Sequence, residues 1–304
     1  MDDYKPLTDP FIYPVSTSAN LNSKRSFLGN KVDRKCIYCG KSEDEVTFEK
    51  DAHVIPAGLG NKILFNFEEC DICNEEYFSV HENELANFLM LDRIFIGSSK
   101  RNGLPKYKPV SNGNSSIKHS ADSRKVNIDM DNLEGRFQFE IDEQRKTFTL
   151  TINKPLPYRP VDICKALVHM IWPFLSEEYR KEISYIPGWL KGERNVFPLF
   201  LEVLFVPGNG FKSGILECWK SDNLKSKYPF IVRFTFGLKI LTLYIPSSPS
   251  ILEDPPHFNN YWQLPENIED LNGERYRILK NDRLTPENLT YTFNFQSHSV
   301  IETD

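Results

Sequence analysis

The sequence predicts an α+β chain in two parts, a small zinc-stapled module of hairpin and helix followed by a separate α+β domain with antiparallel strands. Three observations predict it. Two C-x2-C pairs, Cys36 with Cys39 and Cys70 with Cys73, bracket a histidine, His53. Apolar residues at helical intervals, Phe78, Leu85, Phe88 and Leu89, begin directly after the second pair. Beyond residue 123, apolar and polar residues alternate between turn signals, the pattern of half-buried strands.

Residues 1–32 contain Pro6, Pro10, Pro14 and a Ser/Asn-rich run, and read as an N-terminal arm that docks through Phe11, Ile12 and Tyr13. Residues 33–108 form the module. Lys35 to Gly40 makes a knuckle in which both sulfurs face one metal and Gly40 takes the tight turn. Residues 46–55 are extended; Pro56, Gly58 and Gly60 then break the chain into a loop that ends at Asn61. Residues 63–67 form a short strand or turn. A helix starting at the second knuckle carries Asn74, Phe78 and Glu82 at i, i+4 and i+8, along one stripe.

Residues 109–122, rich in Asn, Ser and Gly, read as a linker. In the second domain, 123–304, segments 125–130, 136–141 and 147–153 form a β-meander. Helices follow over 161–175, which Pro173 ends or kinks, and over 177–185. Segments 196–206, 230–236 and 240–245 are buried strands rich in β-branched and aromatic residues, and 291–295 adds a last one. The expected role of this domain is sensing, specificity or formation of a homodimer.

The chain has 304 residues, 40% of them hydrophobic, so it can bury one large core or two modest ones. A net charge of −5 excludes a protein that is basic throughout, and places nucleic-acid contact on local patches. Lys24, Arg25, Lys31, Arg34, Lys35 and Lys41 precede the first Cys pair; Arg93, Lys100, Arg101, Lys106, Lys108 and Lys118 follow the second. Lys35, Arg93, Lys100, Arg101 and Lys106 are the leading contact candidates. No secretory segment follows Met1 and no apolar run is long enough for a bilayer, which predicts a cytoplasmic protein without a membrane partner. In that reducing compartment four thiolates point to zinc rather than to disulfides. Cys164 and Cys218 lie in apolar contexts and read as core residues.

A histidine on a hairpin, facing a zinc-pinned helix, is a rigid way to hold a general base beside a divalent cation, which suits phosphodiester hydrolysis. An imidazole is largely neutral at physiological pH, as a base requires. Cys36, Cys39, the His-Val-Ile-Pro of 53–56, the Gly-Leu-Gly-Asn of 58–61, and Cys70 and Cys73 with Asn74 directly after them resemble the HNH endonucleases, in the branch with two C-x2-C knuckles. The resemblance covers about residues 33–108 and implies a treble-clef-like ββα-metal fold that cleaves DNA, most readily duplex, in restriction or phage-defence settings. It implies that His53 is the general base, that Asn61 braces the hairpin loop as part of the catalytic apparatus, and that Asn74 binds a catalytic Mg²⁺ or Mn²⁺. One position departs: the family's acidic metal ligand before the histidine is Ala52 here. Glu82, preferred because the helix directs it, and Asp51, on the same strand face as His53, are the substitutes. His81, adjacent to Glu82, points about a hundred degrees away. The alternative is a non-catalytic, zinc-dependent nucleic-acid-binding module in which Ala52 marks a lost metal site.

Overall fold

A computed structural model describes residues 4–15, 24–98, 104–110, 112–120, 125–131, 134–206, 210–256, 258 and 272–294. The described part of the N-terminal arm forms short strands. Strands β1 (Tyr4–Pro6) and β2 (Phe11–Pro14) belong to the largest sheet, and β3 (Ser26–Leu28) to the knuckle module. Their prolines are tolerated because both β1 and β2 are edge strands, with β12 as their one partner. Tyr13 docks as expected: it is buried, and its hydroxyl donates to the Leu59 carbonyl at 3.1 Å.

In the module, β4 (Ala52–His53) pairs antiparallel with β5 (Leu64–Asn66), and β3 joins the other side of β5 in parallel. A π-helical turn, Cys73–Phe78, leads into α1 (Ser79–Phe88), and α2 (Met90–Phe95) follows. The segment expected as a linker contains a strand. β6 (Lys106–Tyr107), β7 (Ser116–His119) and β8 (Val126–Asp129) form a small antiparallel sheet, with Ile117 fully buried. The expected meander is therefore divided: β8 stays in that sheet, whereas β9 (Phe137–Asp142) and β10 (Thr147–Asn153) pair with each other.

Helix α3 (Pro160–Ile171) starts with proline at its first position, where no amide hydrogen is needed, and a short 3₁₀ turn containing Pro173 ends it. The expected second helix is two short ones, α4 (Glu177–Glu182) and α5 (Ile186–Leu190). Strands β11 (Leu199–Phe205), β12 (Phe211–Ser221), β13 (Phe230–Gly237), β14 (Lys239–Ile245) and β15 (Asn272–Ile278) then build an antiparallel sheet in the order β1-β12-β13-β14-β11-β15. The last strand, β16 (Asn288–Asn294), returns to pair with β10.

Every residue of α3 is buried, because it lies between two layers: α1 on one side and β11, β12 and β13 on the other. One apolar cluster runs from Cys36 and Leu85 through Leu167 to Phe234 and Leu243. Module and sheet thus share a core instead of meeting across a linker. Among the described residues no helix is long and apolar enough to cross a membrane.

A second tie is ionic. Asp92 of α2 and Lys239 of β14 are both at most 1% exposed and form a close ion pair. The Leu238 amide donates to Asp92 at 2.9 Å, and the Tyr291 hydroxyl at 3.2 Å. Gly237 (φ +61°) permits this approach, since a Cβ there would stand 2.5 Å from that of Asp92. Removing one partner strands a buried charge, so Lys239→Met should destabilise by about 3–5 kcal/mol, and adding Asp92→Asn should restore much of that. Urea unfolding of the single and double variants measures both; equal losses in the two would refute this account.

Candidate active site

The two knuckles converge. The four Sγ atoms of Cys36, Cys39, Cys70 and Cys73 lie within 4.8 Å of one another. Cys36 to Cys73 and Cys39 to Cys70 are each 3.8 Å apart. Tetrahedral zinc with bonds near 2.3 Å requires sulfur separations of about 3.8 Å, so this donor set fits zinc. The turn geometry follows from local bonds: the Gly40 amide donates to the Cys36 carbonyl at 2.8 Å and Gly40 adopts φ +74°, as its sequence position predicts. Cys36 and Cys73 share a hydrogen bond that lowers the pKa of one and, with burial, raises that of the other. Four sulfurs this close can all ionise only around a cation that they share.

The cluster fixes the hairpin. Asp71, between the second pair, accepts from the Thr47 hydroxyl at 2.6 Å and from the Glu49 and Lys50 amides at 3.0 Å each. This pins the chain directly ahead of β4. The other end is held by Asn61, fully buried, whose Nδ2 donates to the Ile55 and Leu64 carbonyls and whose Oδ1 accepts from the Ile63 and Leu64 amides, all within 3.1 Å. Asn61 therefore braces the loop. Between these anchors His53 is half-buried, with its ring 4.7 Å from that of Phe65 across the β4–β5 pair.

The expected carboxylate ligands, Asp51 and Glu82, each face another side chain. Asn74 lies in the π turn and is half-buried. Glu82 points toward α3, where Oε1 lies 3.8 Å from His169 Nδ1. Asp51 pairs with Arg25 at 2.9 Å. His81 faces Asp162 at 2.9 Å and the Leu190 carbonyl at 3.0 Å. Among the described residues the four cysteines are the one cluster of three or more His, Cys, Asp or Glu donors. Ala52 is buried opposite Asn66.

Of the basic candidates, Lys35 and Lys106 are exposed, and Lys100 and Arg101 lie outside the described residues. Arg93 is a correction. It is 4% exposed, its Nη1 donates to the Ala86 carbonyl near the end of α1 at 3.2 Å, and burial brings its pKa down to about 10. A side chain spent on capping a helix is withdrawn from nucleic acid.

Sequence reasoning gave no role to His169, which lies on α3 and bonds through Nε2 to Glu69 beside the second knuckle at 3.1 Å. Burial disfavours its cation, but Glu69 and Glu82 outweigh that and raise its pKa. Tyr38 donates to the His169 carbonyl at 3.2 Å, and Trp172 to the Ile37 carbonyl at 3.2 Å, so α3 grips the first knuckle as well. No spacing within the sequence could have indicated partners a hundred residues away.

The Asp71 clamp is testable. Burial acts to raise its pKa, yet the bonds from Thr47, Glu49 and Lys50 win and hold it below the ordinary carboxylate value. Its contribution is present at neutral pH and lost as pH falls through that lowered value. Asp71→Ala should cost about 2–3 kcal/mol in urea unfolding at pH 7, and less in acid; a pH-independent difference would count against the clamp.

No curated protein and no solved structure matches the chain. Residues 36–90, which take in both knuckles, the β4–β5 hairpin and α1, match the family model of the HNH endonucleases.

Proposed function

We propose that this protein is an endonuclease that hydrolyses phosphodiester bonds of DNA, with His53 as the general base. The observation that carries the reading is the fixed position of His53, on a two-residue strand clamped at one end by Asp71 and braced at the other by Asn61. A neutral imidazole there accepts a proton from water as the water oxygen attacks phosphorus. The bond from phosphorus to the leaving oxygen then breaks, and that oxygen takes up a proton. The cysteine cluster supplies rigidity and takes no part in the proton transfers.

Mg²⁺ or Mn²⁺ is the cation that the HNH resemblance implies for catalysis. Asp51 and Glu82, engaged by Arg25 and turned to His169, do not fit a shared site with His53. No step is therefore assigned to that cation. The same observation, with Ala52 at the usual acidic position, favours the second reading, a zinc-built module that binds nucleic acid without cutting it. A role in restriction or phage defence requires that cleavage be controlled, and the core shared through α3 is a rigid route by which the large sheet could exert that control.

Two measurements decide. Metal analysis should find about one tightly held zinc per chain, lost with the fold in Cys70→Ser. Supercoiled plasmid should be cut by the unaltered protein, with parallel incubations in Mg²⁺, Mn²⁺ and no added cation measuring whether a cation is needed, and His53→Ala should slow cutting by roughly 100- to 10,000-fold. Unchanged cutting in that variant would remove His53 as the base; binding without any cutting by the unaltered protein would establish the second reading.

A further inference from the structure

Beside His53 lies a cavity of 230 Å³, lined by Phe27, Phe48, Phe67, Lys31, Lys50 and Asn66, with Arg34 and Asp51 at its wall. From its lining we propose that this cavity receives one unpaired nucleobase of the nucleic-acid strand that His53 attacks. The proposal rests on the nuclease reading and narrows its substrate to strands that present an unstacked base.

The position is set by strand register. Phe27 is the cross-strand partner of Phe65, whose ring meets that of His53, and Phe67 and Asp51, two residues from Phe65 and from His53, fall on that same face. A base held here is therefore within a nucleotide or so of the phosphate that His53 would serve.

The lining matches such a guest. Phe27 and Phe67 stack in parallel, with centroids 4.2 Å apart and planes 7° apart, and both are half-buried. A preformed aromatic stack extends readily by one more planar ring, whatever the base, because each base has a π face. The cavity is below the ~300–1,000 Å³ of sites that enclose whole small-molecule ligands, so it suits a single ring system attached to a chain outside.

Charge favours an anionic strand. The wall carries the cations Lys31, Arg34 and Lys50 against one carboxylate, Asp51, and Arg25 pairs with Asp51. Arg34 and Lys50 pair with Glu43 and Glu75, whereas Lys31, 6.0 Å from the Phe67 ring centre, pairs with no carboxylate among the described residues and carries the local positive excess. At the back, Asn66 Nδ2 is buried without an acceptor. Buried amides are rarely left so, and a base carbonyl or ring nitrogen is the acceptor that a small side-chain shift would supply.

The test uses the full chain and two DNA duplexes, one fully paired and one with a single bulged 2-aminopurine, both without added divalent cation, and a denaturing gel checks that the bound DNA is uncut. The unaltered protein should bind the bulged duplex about tenfold more tightly than the paired one, as a single stacked base warrants, and should change the 2-aminopurine fluorescence. Phe67→Ala should erase that preference and the fluorescence change, and Phe67→Trp should retain both. Lys31→Glu, at an exposed position that does not endanger folding, should weaken binding to both duplexes and flatten its salt dependence. Equal affinity for the two duplexes, or a preference that survives Phe67→Ala, would overturn the base pocket. In either case His53-dependent plasmid cutting would still stand as evidence for the nuclease. Failure to bind or cut any DNA would remove both readings together.

Discussion

Four sulfur atoms within 4.8 Å of one another hold together two chain segments more than thirty residues apart in sequence. The small sheet alone could not do so. β4 has two residues and β5 has three, and strands that short are marginal without support from packing. With the knuckles joined, Asp71 stands where it can accept from Thr47, Glu49 and Lys50, and Cys70 and Cys73 start the π turn that becomes α1. His53 owes its position to this chain of constraints, which is the rigidity that the proposed role of general base would need.

The second constraint is the buried helix α3, which serves two layers at once. Its His169 and Trp172 flank contribute hydrogen bonds to both knuckles, and its apolar bulk fills the space under the seven-stranded sheet. The ion pair of Asp92 with Lys239 ties the far end of the module to the same sheet. A module joined by a flexible tether could move freely; one that shares a core and a buried ion pair moves only as that core moves.

The module was legible in the sequence because its determinants are local. Cys pairs at C-x2-C spacing, Gly40 in the turn and Asn61 after the glycines need few residues to be recognised, and the structure gives each the geometry expected of its residue type. α3 was equally readable from its periodicity, and β10 to the residue. What could not be read depends on distant partners. The longest described strand, β12, was missed because Gly214 to Trp219 are all buried and show no alternation; it lies inside the sheet, with β13 along one edge and β1 and β2 along the other, and α3 packs on it. β1, β2 and β3 look like loop because prolines and short apolar runs become strands only when an edge is waiting for them. Arg93 looked like surface charge, since nothing in sequence tells an arginine that caps a helix from one that meets phosphate.

The same reasoning explains the unusual balance of charge around His53. In a site built on carboxylates, a cation brings the positive charge that a phosphodiester demands. Here Ala52 supplies none of that acid, Asp51 is taken by Arg25, and Glu82 is taken into the interface with α3. In their place the segments that flank the β3–β5–β4 sheet carry Lys31, Arg34 and Lys50 beside three phenylalanines. Side-chain cations set among low-dielectric aromatic walls would favour an anionic strand there, even on a chain of net negative charge. The arm-derived strand β3 is what completes this wall, since it contributes Phe27 and leads into Lys31. The N-terminal segment, which sequence alone assigned to docking, thus shapes the surface on which the substrate of His53 would lie.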